Sequence, residues 1–114
     1  MPDASFRGRR GPARHERPAI DDAALAAARH ADRLLAAARE RGQTRWEAYL
    51  APMPDRLRDD ELFALRATAA RARAAYGPKD SVRDVLPGEL TEPFLDAIDR
   101  LVRELNRREA AGQL

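Results

Sequence analysis

Residues 77–81 of this chain read Gly-Pro-Lys-Asp-Ser, and they hold its single lysine, Lys79, two positions from the hydroxyl of Ser81. Glycine, lysine and serine in close order suggest a phosphate loop. Such a loop needs several glycines, so that successive amides can wrap the phosphates, and a Ser or Thr directly after the Lys. Here one glycine is followed by Pro78, which has no amide hydrogen, and Asp80 separates Lys79 from Ser81. A Ser81–Lys79 hydrolytic pair would need an oxyanion hole, and nothing nearby marks one.

The other reactive residue types are equally scattered. His15 and His30 are the two histidines, cysteine is absent, and no His-Glu-x-x-His spacing occurs. Zinc chemistry needs three or four such ligands converging, so no metal or cofactor is expected. Asp96 and Asp99 form an acidic pair, but at the start of a helical pattern they serve the helix dipole. The residues therefore point away from an enzyme.

Two stretches suit binding better. Residues 1–20 carry Arg7, Arg9, Arg10, Arg14 and Arg17 with Phe6, against Asp3 and Glu16. A flexible cationic arm of this kind can neutralise DNA or RNA phosphates or dock on an acidic protein. The second is Trp46 with Tyr49, Leu50 and Met53, the first three at helical spacing on a short segment bounded by Pro52 and Pro54. Aromatic anchors dominate interfaces when exposed. Buried, Trp46 would instead plug a bundle against the small first helix. A helix-turn-helix over 81–86 and 92–110 is a third option. Its recognition helix would lead with Glu92, Asp96 and Asp99, which phosphates repel. Arg66, Arg71 and Arg73 are spread around an earlier helix among alanines and read as a solvated flank.

The elements that must position these residues are helical throughout. Residues 22–41 show Ala24, Ala28, Ala31, Leu35 and Ala38 at helical intervals, with acids at the start and Gly42 after the end. Thr44 and Glu47 have capping-box spacing and open a short helix, 45–51. Residues 59–76 carry two stripes. One is Leu62, Leu65, Ala69, Ala72 and Tyr76; the other is Phe63, Ala67, Ala70 and Ala74. A helix apolar on two sides predicts the central element of a bundle. Gly77-Pro78 stops it. Ser81, with Asp84 three residues on, caps a short helix over 81–86 that turns Val82, Val85 and Leu86 inward. Thr91 caps the last helix, 92–110, with Pro93 in its first turn. Phe94, Leu95, Ile98, Leu101, Val102 and Leu105 form its apolar arc. Asp96–Arg100, Asp99–Arg103 and Glu104–Arg108 are acid-first pairs on its outside. Lys79 and Asp80 receive no role from this reading.

Charge divides the chain. Residues 1–20 have a net charge of +3 and the remaining 94 a net of −1, so the pI near 9.6 belongs to the tail. Twenty-four alanines and twenty arginines against one lysine carry the compositional mark of a GC-rich bacterial genome. No apolar run approaches the ~18–20 residues of a membrane span, and the N-terminus lacks the apolar core of a secretory signal. The absence of cysteine is compatible with a reducing cytoplasm.

The expectation is an all-α fold: a small helical bundle of three long and two short helices (21–114) behind a disordered basic N-terminal tail (1–20). Its expected function is that of a cytoplasmic, non-enzymatic bacterial protein-interaction or regulatory module with a protein partner. The small-residue first helix leaves room for a homo-oligomer. The alternative is a nucleic-acid-associated protein tethered through its Arg-rich tail.

Overall fold

The computed structural model describes residues 14–110. They form five α-helices and two single 3-10 turns, with no strand among the described residues. A turn at Arg14–Glu16 leads into α1 (Pro18–Glu40). Then come α2 (Thr44–Leu50), α3 (Met53–Asp59), α4 (Leu62–Ala74), a turn at Val82–Asp84 and α5 (Gly88–Ala110). Three long and two short helices are present, as the patterning predicts. The second short helix, however, is Met53–Asp59, whereas residues 81–86 supply a single 3-10 turn.

The hub is α1, which packs against α5, α3 and α2. Alanine makes this arrangement feasible. Ala23, Ala24, Ala27, Ala28, Ala31, Ala37 and Ala38 are all buried along it, with Ile20 and Leu34. Side chains this small bring neighbouring backbones close. The bulk that fills the core comes from the partners: Phe94, Ile98 and Leu101 of α5, Leu57 and Met53 of α3, Leu50 and Trp46 of α2. The second long pair is α4 on α5, with α3 at the start of α4. The helix expected at the centre, α4, thus lies at the edge. Its Leu65, Ala69 and Ala72 are buried, while Phe63, Ala67, Ala70 and Ala74 face outward.

Several local readings hold. Gly42 sits at φ +66°, its amide donates to the Arg39 carbonyl (3.3 Å), and the Gln43 amide donates to the Ala38 carbonyl (2.9 Å). That is the Schellman pattern that closes a helix C-terminus. Ser81 and Asp84 make a capping box: Ser81 Oγ accepts from the Arg83 amide and Asp84 Oδ2 accepts from the Ser81 amide, both at 3.0 Å.

Others are corrected. α2 stays short and stops at Leu50 before Pro52, as expected, but Pro52 and Pro54 also start a helix the patterning missed, α3, where first-turn amides lack intrahelical acceptors and proline costs nothing. Thr44 is the first residue of α2 rather than its cap, and Glu47 turns to pair with Arg39 (2.9 Å). α5 begins at Gly88, so Thr91 and Pro93 lie inside it; the Thr91 amide donates to the Pro87 carbonyl at 3.0 Å. Val85 is 36% exposed, while Val82 and Leu86 are buried. Asp99, expected to pair with Arg103, reaches across to Arg73 of α4 (3.1 Å); Glu104 pairs with Arg107, and its expected partner Arg108 has its side chain outside the described residues.

The structured chain also begins earlier than composition indicates. Residues 14–20, placed in the tail by their prolines and arginines, belong to the fold. Ile20 is fully buried, and Arg14 is 4% exposed. The Arg14 guanidinium donates to Asp21 (2.7 Å) and to the Asp60 carbonyl (2.9 Å), and its amide donates to Glu61 (3.0 Å). One buried anchor outweighs a window of polar residues. Residues 1–13, including Arg7, Arg9 and Arg10, lie outside the described residues.

Candidate interaction surface

The Trp46 cluster is assembled, and it faces inward. Trp46 is 6% exposed, and Leu50 and Met53 are fully or almost fully buried. Tyr49 is half-buried and meets Trp46 edge to face, with ring centroids 5.3 Å apart. Arginines cover the outer rims. The Arg45 guanidinium lies 5.1 Å from the Trp46 ring centre, and that of Arg71 lies 4.2 Å from the Tyr49 ring centre. Tyr49 Oη also donates to the Arg71 carbonyl at 2.7 Å. Tyr49 therefore ties α2 to the end of α4, while Trp46, Leu50 and Met53 fill the core beside the small face of α1. The rest of the fold already uses these groups.

The 77–81 stretch likewise resolves into backbone geometry. Asp80 has φ +52°, the left-handed conformation that Asp tolerates better than most residues. It reverses the chain between α4 and the Ser81 cap. Gly77, read as the stop, is not left-handed; α4 ends at Ala74, three residues before it. Lys79 is exposed and draws no structural partner from its position. Beside the loop, Gln43, Arg45, Trp46, Asp80 and Asp84 line a shallow cleft of about 170 Å³. That is below the ~300 Å³ at which small-molecule sites begin.

A clasp closes the loop onto α5. Arg83 donates two hydrogen bonds to Glu92, at 2.9 and 2.7 Å, and its guanidinium stacks 5.2 Å from the Tyr76 ring centre. Tyr76 Oη donates to the Thr91 carbonyl at 2.5 Å. The Arg83 hydrogen bonds, then that of Thr91, hold the Glu92 carboxyl down to about 2. Burial, aided by the Glu92 charge, pushes the Tyr76 phenol well above its usual range. These groups are spent on each other. They lock the connection between α4 and α5 and leave no free acid–base pair.

Of the histidines, His15 is exposed on the first turn and His30 is half-buried on α1. Burial, then Arg33 and Arg29, lower the pKa of His30. Among the described residues no three His, Asp or Glu side chains converge as metal ligands. Among the described residues no helix is long and apolar enough to cross a membrane. Arg14, one of the five tail arginines, is buried in its contacts with Asp21 and Asp60, and Arg17 is half-buried at the start of α1.

Among the described residues the largest outward apolar side chain lies on one face of α4. Phe63 is 91% exposed. Ala64, Ala67, Ala70 and Ala74 are exposed on the same side, with Arg71 beside them. Phe63, Ala67, Ala70 and Ala74 fall within about 60° of one another around the helix. Scattered exposed apolar residues need no explanation; a contiguous stripe led by an uncovered phenylalanine does. The sequence shows this stripe, but its spacing is the same whether the face meets the core or water.

The chain matches no protein-family model, no curated protein and no solved structure.

Proposed function

We propose that this chain is a small non-enzymatic protein-interaction module that offers the outer face of α4, centred on Phe63, to a helical partner. The observation that carries this reading is a phenylalanine 91% exposed at the head of an alanine stripe. A helix laid along such a stripe approaches closely and buries the phenyl ring as its anchor. Ser81 and Asp84 are engaged in a cap, Arg83, Glu92 and Tyr76 in the clasp, and Arg14 in its anchor, which supports a binding role over catalysis. The alternative, a nucleic-acid tether, draws on fewer residues than the sequence offered, since Arg14 is turned into the fold.

The test is a photoreactive phenylalanine analogue at position 63, expressed in cells, with the same group at exposed Ala48 of α2 as control. A discrete protein adduct at position 63 and none at 48 is the expected outcome. Equal or absent adducts at both positions would reject the face as a docking surface.

A further inference from the structure

Building on that reading, we propose that the occupant of the α4 face is a second copy of this chain, its own α4 lying antiparallel across the first.

Charge selects the direction. The entry to α4 is acidic, with Asp59, Asp60 and Glu61, and its far end is basic, chiefly through exposed Arg71, since Arg73 is shared with Asp99. A parallel pair sets like charge against like at both ends. An antiparallel pair sets acid against base at both ends, and it opposes the two helix dipoles favourably. Shape selects the same direction. The stripe is bulky at one end, Phe63, and small along the rest. In a parallel pair the phenyl rings collide while the alanines stay apart. In an antiparallel pair crossing near Ala67, each Phe63 rests on the Ala70–Ala74 stretch of the other copy. Both contacts form at once under a single two-fold axis, the commonest symmetry of homo-oligomers.

The rival occupant within the chain is residues 1–13. The Arg14 amide donates to Glu61, so that segment joins the fold beside the start of α4, and it contains Phe6. It also carries Arg7, Arg9 and Arg10 against Asp3 alone, and along α4 it would run towards Arg71 and Arg73. Its arginines suit the acidic entry but meet like charge at Arg71 further along, whereas the second copy supplies the complement at both ends.

Thirteen residues make α4 about 20 Å long. A contact of that length falls short of the ~800 Å² per partner of standard interfaces. The dimer is therefore weak, with a Kd of about 10 μM to 1 mM.

Sedimentation equilibrium of the full chain across that range, at low and high salt, tests the proposal. Phe63→Ser and Ala70→Glu serve as variants, each at an exposed position and checked for folding by circular dichroism. The expected result is a monomer–dimer equilibrium that weakens with salt and loses about tenfold or more in affinity in either folded variant. Wild type that stays monomeric throughout overturns the proposal, as does a dimer indifferent to both substitutions. Deletion of residues 1–13 adds a third arm: a dimer that appears only in the truncated chain would assign the face to the tail and overturn it too. If wild type is monomeric while position 63 still traps a different protein in cells, the second copy fails but the docking face stands. If neither is seen, both fail.

Discussion

Trp46→Ala separates a core plug from an interface anchor. Trp46 is 6% exposed, so nearly all of a side chain that buries about 150–250 Å² is out of water. At about 25 cal/mol per Å² the transfer alone is worth roughly 4–6 kcal/mol, less what alanine keeps and what a compact unfolded chain already hides. The edge-to-face contact with Tyr49 adds about 0.5–1.5 kcal/mol, and the Arg45 contact at its rim adds about 0.5–1 kcal/mol. The net loss is about 3–5 kcal/mol, the range found for tryptophan or phenylalanine truncation in other cores. A domain of this size is stable by about 5–15 kcal/mol, so Tm falls by about 15 °C or more. Trp46→Phe keeps most of the ring and costs about 1–2 kcal/mol. The assay is thermal and urea unfolding followed by circular dichroism. Because Trp46 is the sole tryptophan, its fluorescence reports the site directly: blue-shifted and poorly quenched by acrylamide in the native wild type. A Trp46→Ala protein that melts within about 5 °C of wild type, or a native tryptophan freely quenched, would refute the buried placement and return the cluster to the surface.

Two further outcomes follow from the connections between helices. Gly42→Ala forces a side chain into φ +66° and is expected to cost about 1–2 kcal/mol. Gly77→Ala, where a Cβ meets only the Ala74 carbonyl at an ordinary 3.6 Å, is neutral or stabilising by up to about 1 kcal/mol; paired urea melts check both. Glu92 has a folded pKa near 2, below its ordinary 4.5, so its contribution to stability is fully present above about pH 4.5 and fades as pH falls towards 2. Both partners are half-exposed, so solvent screening keeps the effect modest. Arg83→Gln should flatten that part of the Tm–pH profile between pH 2 and pH 6, and an unchanged profile would show that the clasp does not hold Glu92.

The helices were legible because their signals are local. Apolar spacing in α5, Gly42 after α1 and the Ser81–Asp84 pair each act within a few residues, and the fold keeps all three. The entries to α2 and α5 were misplaced, and α3 was missed, for local reasons too. Proline and threonine suit both a cap and the first turns, so Pro54, Thr44 and Thr91 do not fix the starting residue by themselves. Asp80 gained its role only when its positive φ was seen.

The sequence by itself determined an all-α chain with three long helices and the short one before Pro52, and a small-residue first helix that needs bulky neighbours. Tertiary structure alone decided which apolar faces meet. Spacing shows that Phe63, Ala67, Ala70 and Ala74 share one side of α4 and that Trp46, Tyr49 and Leu50 share one side of α2. It says nothing of what lies opposite, because that is set by contacts between residues far apart in the chain. Those contacts turned the tryptophan cluster inward onto α1, drew Arg14 from the tail into a partly buried ion pair, and left the phenylalanine stripe facing water.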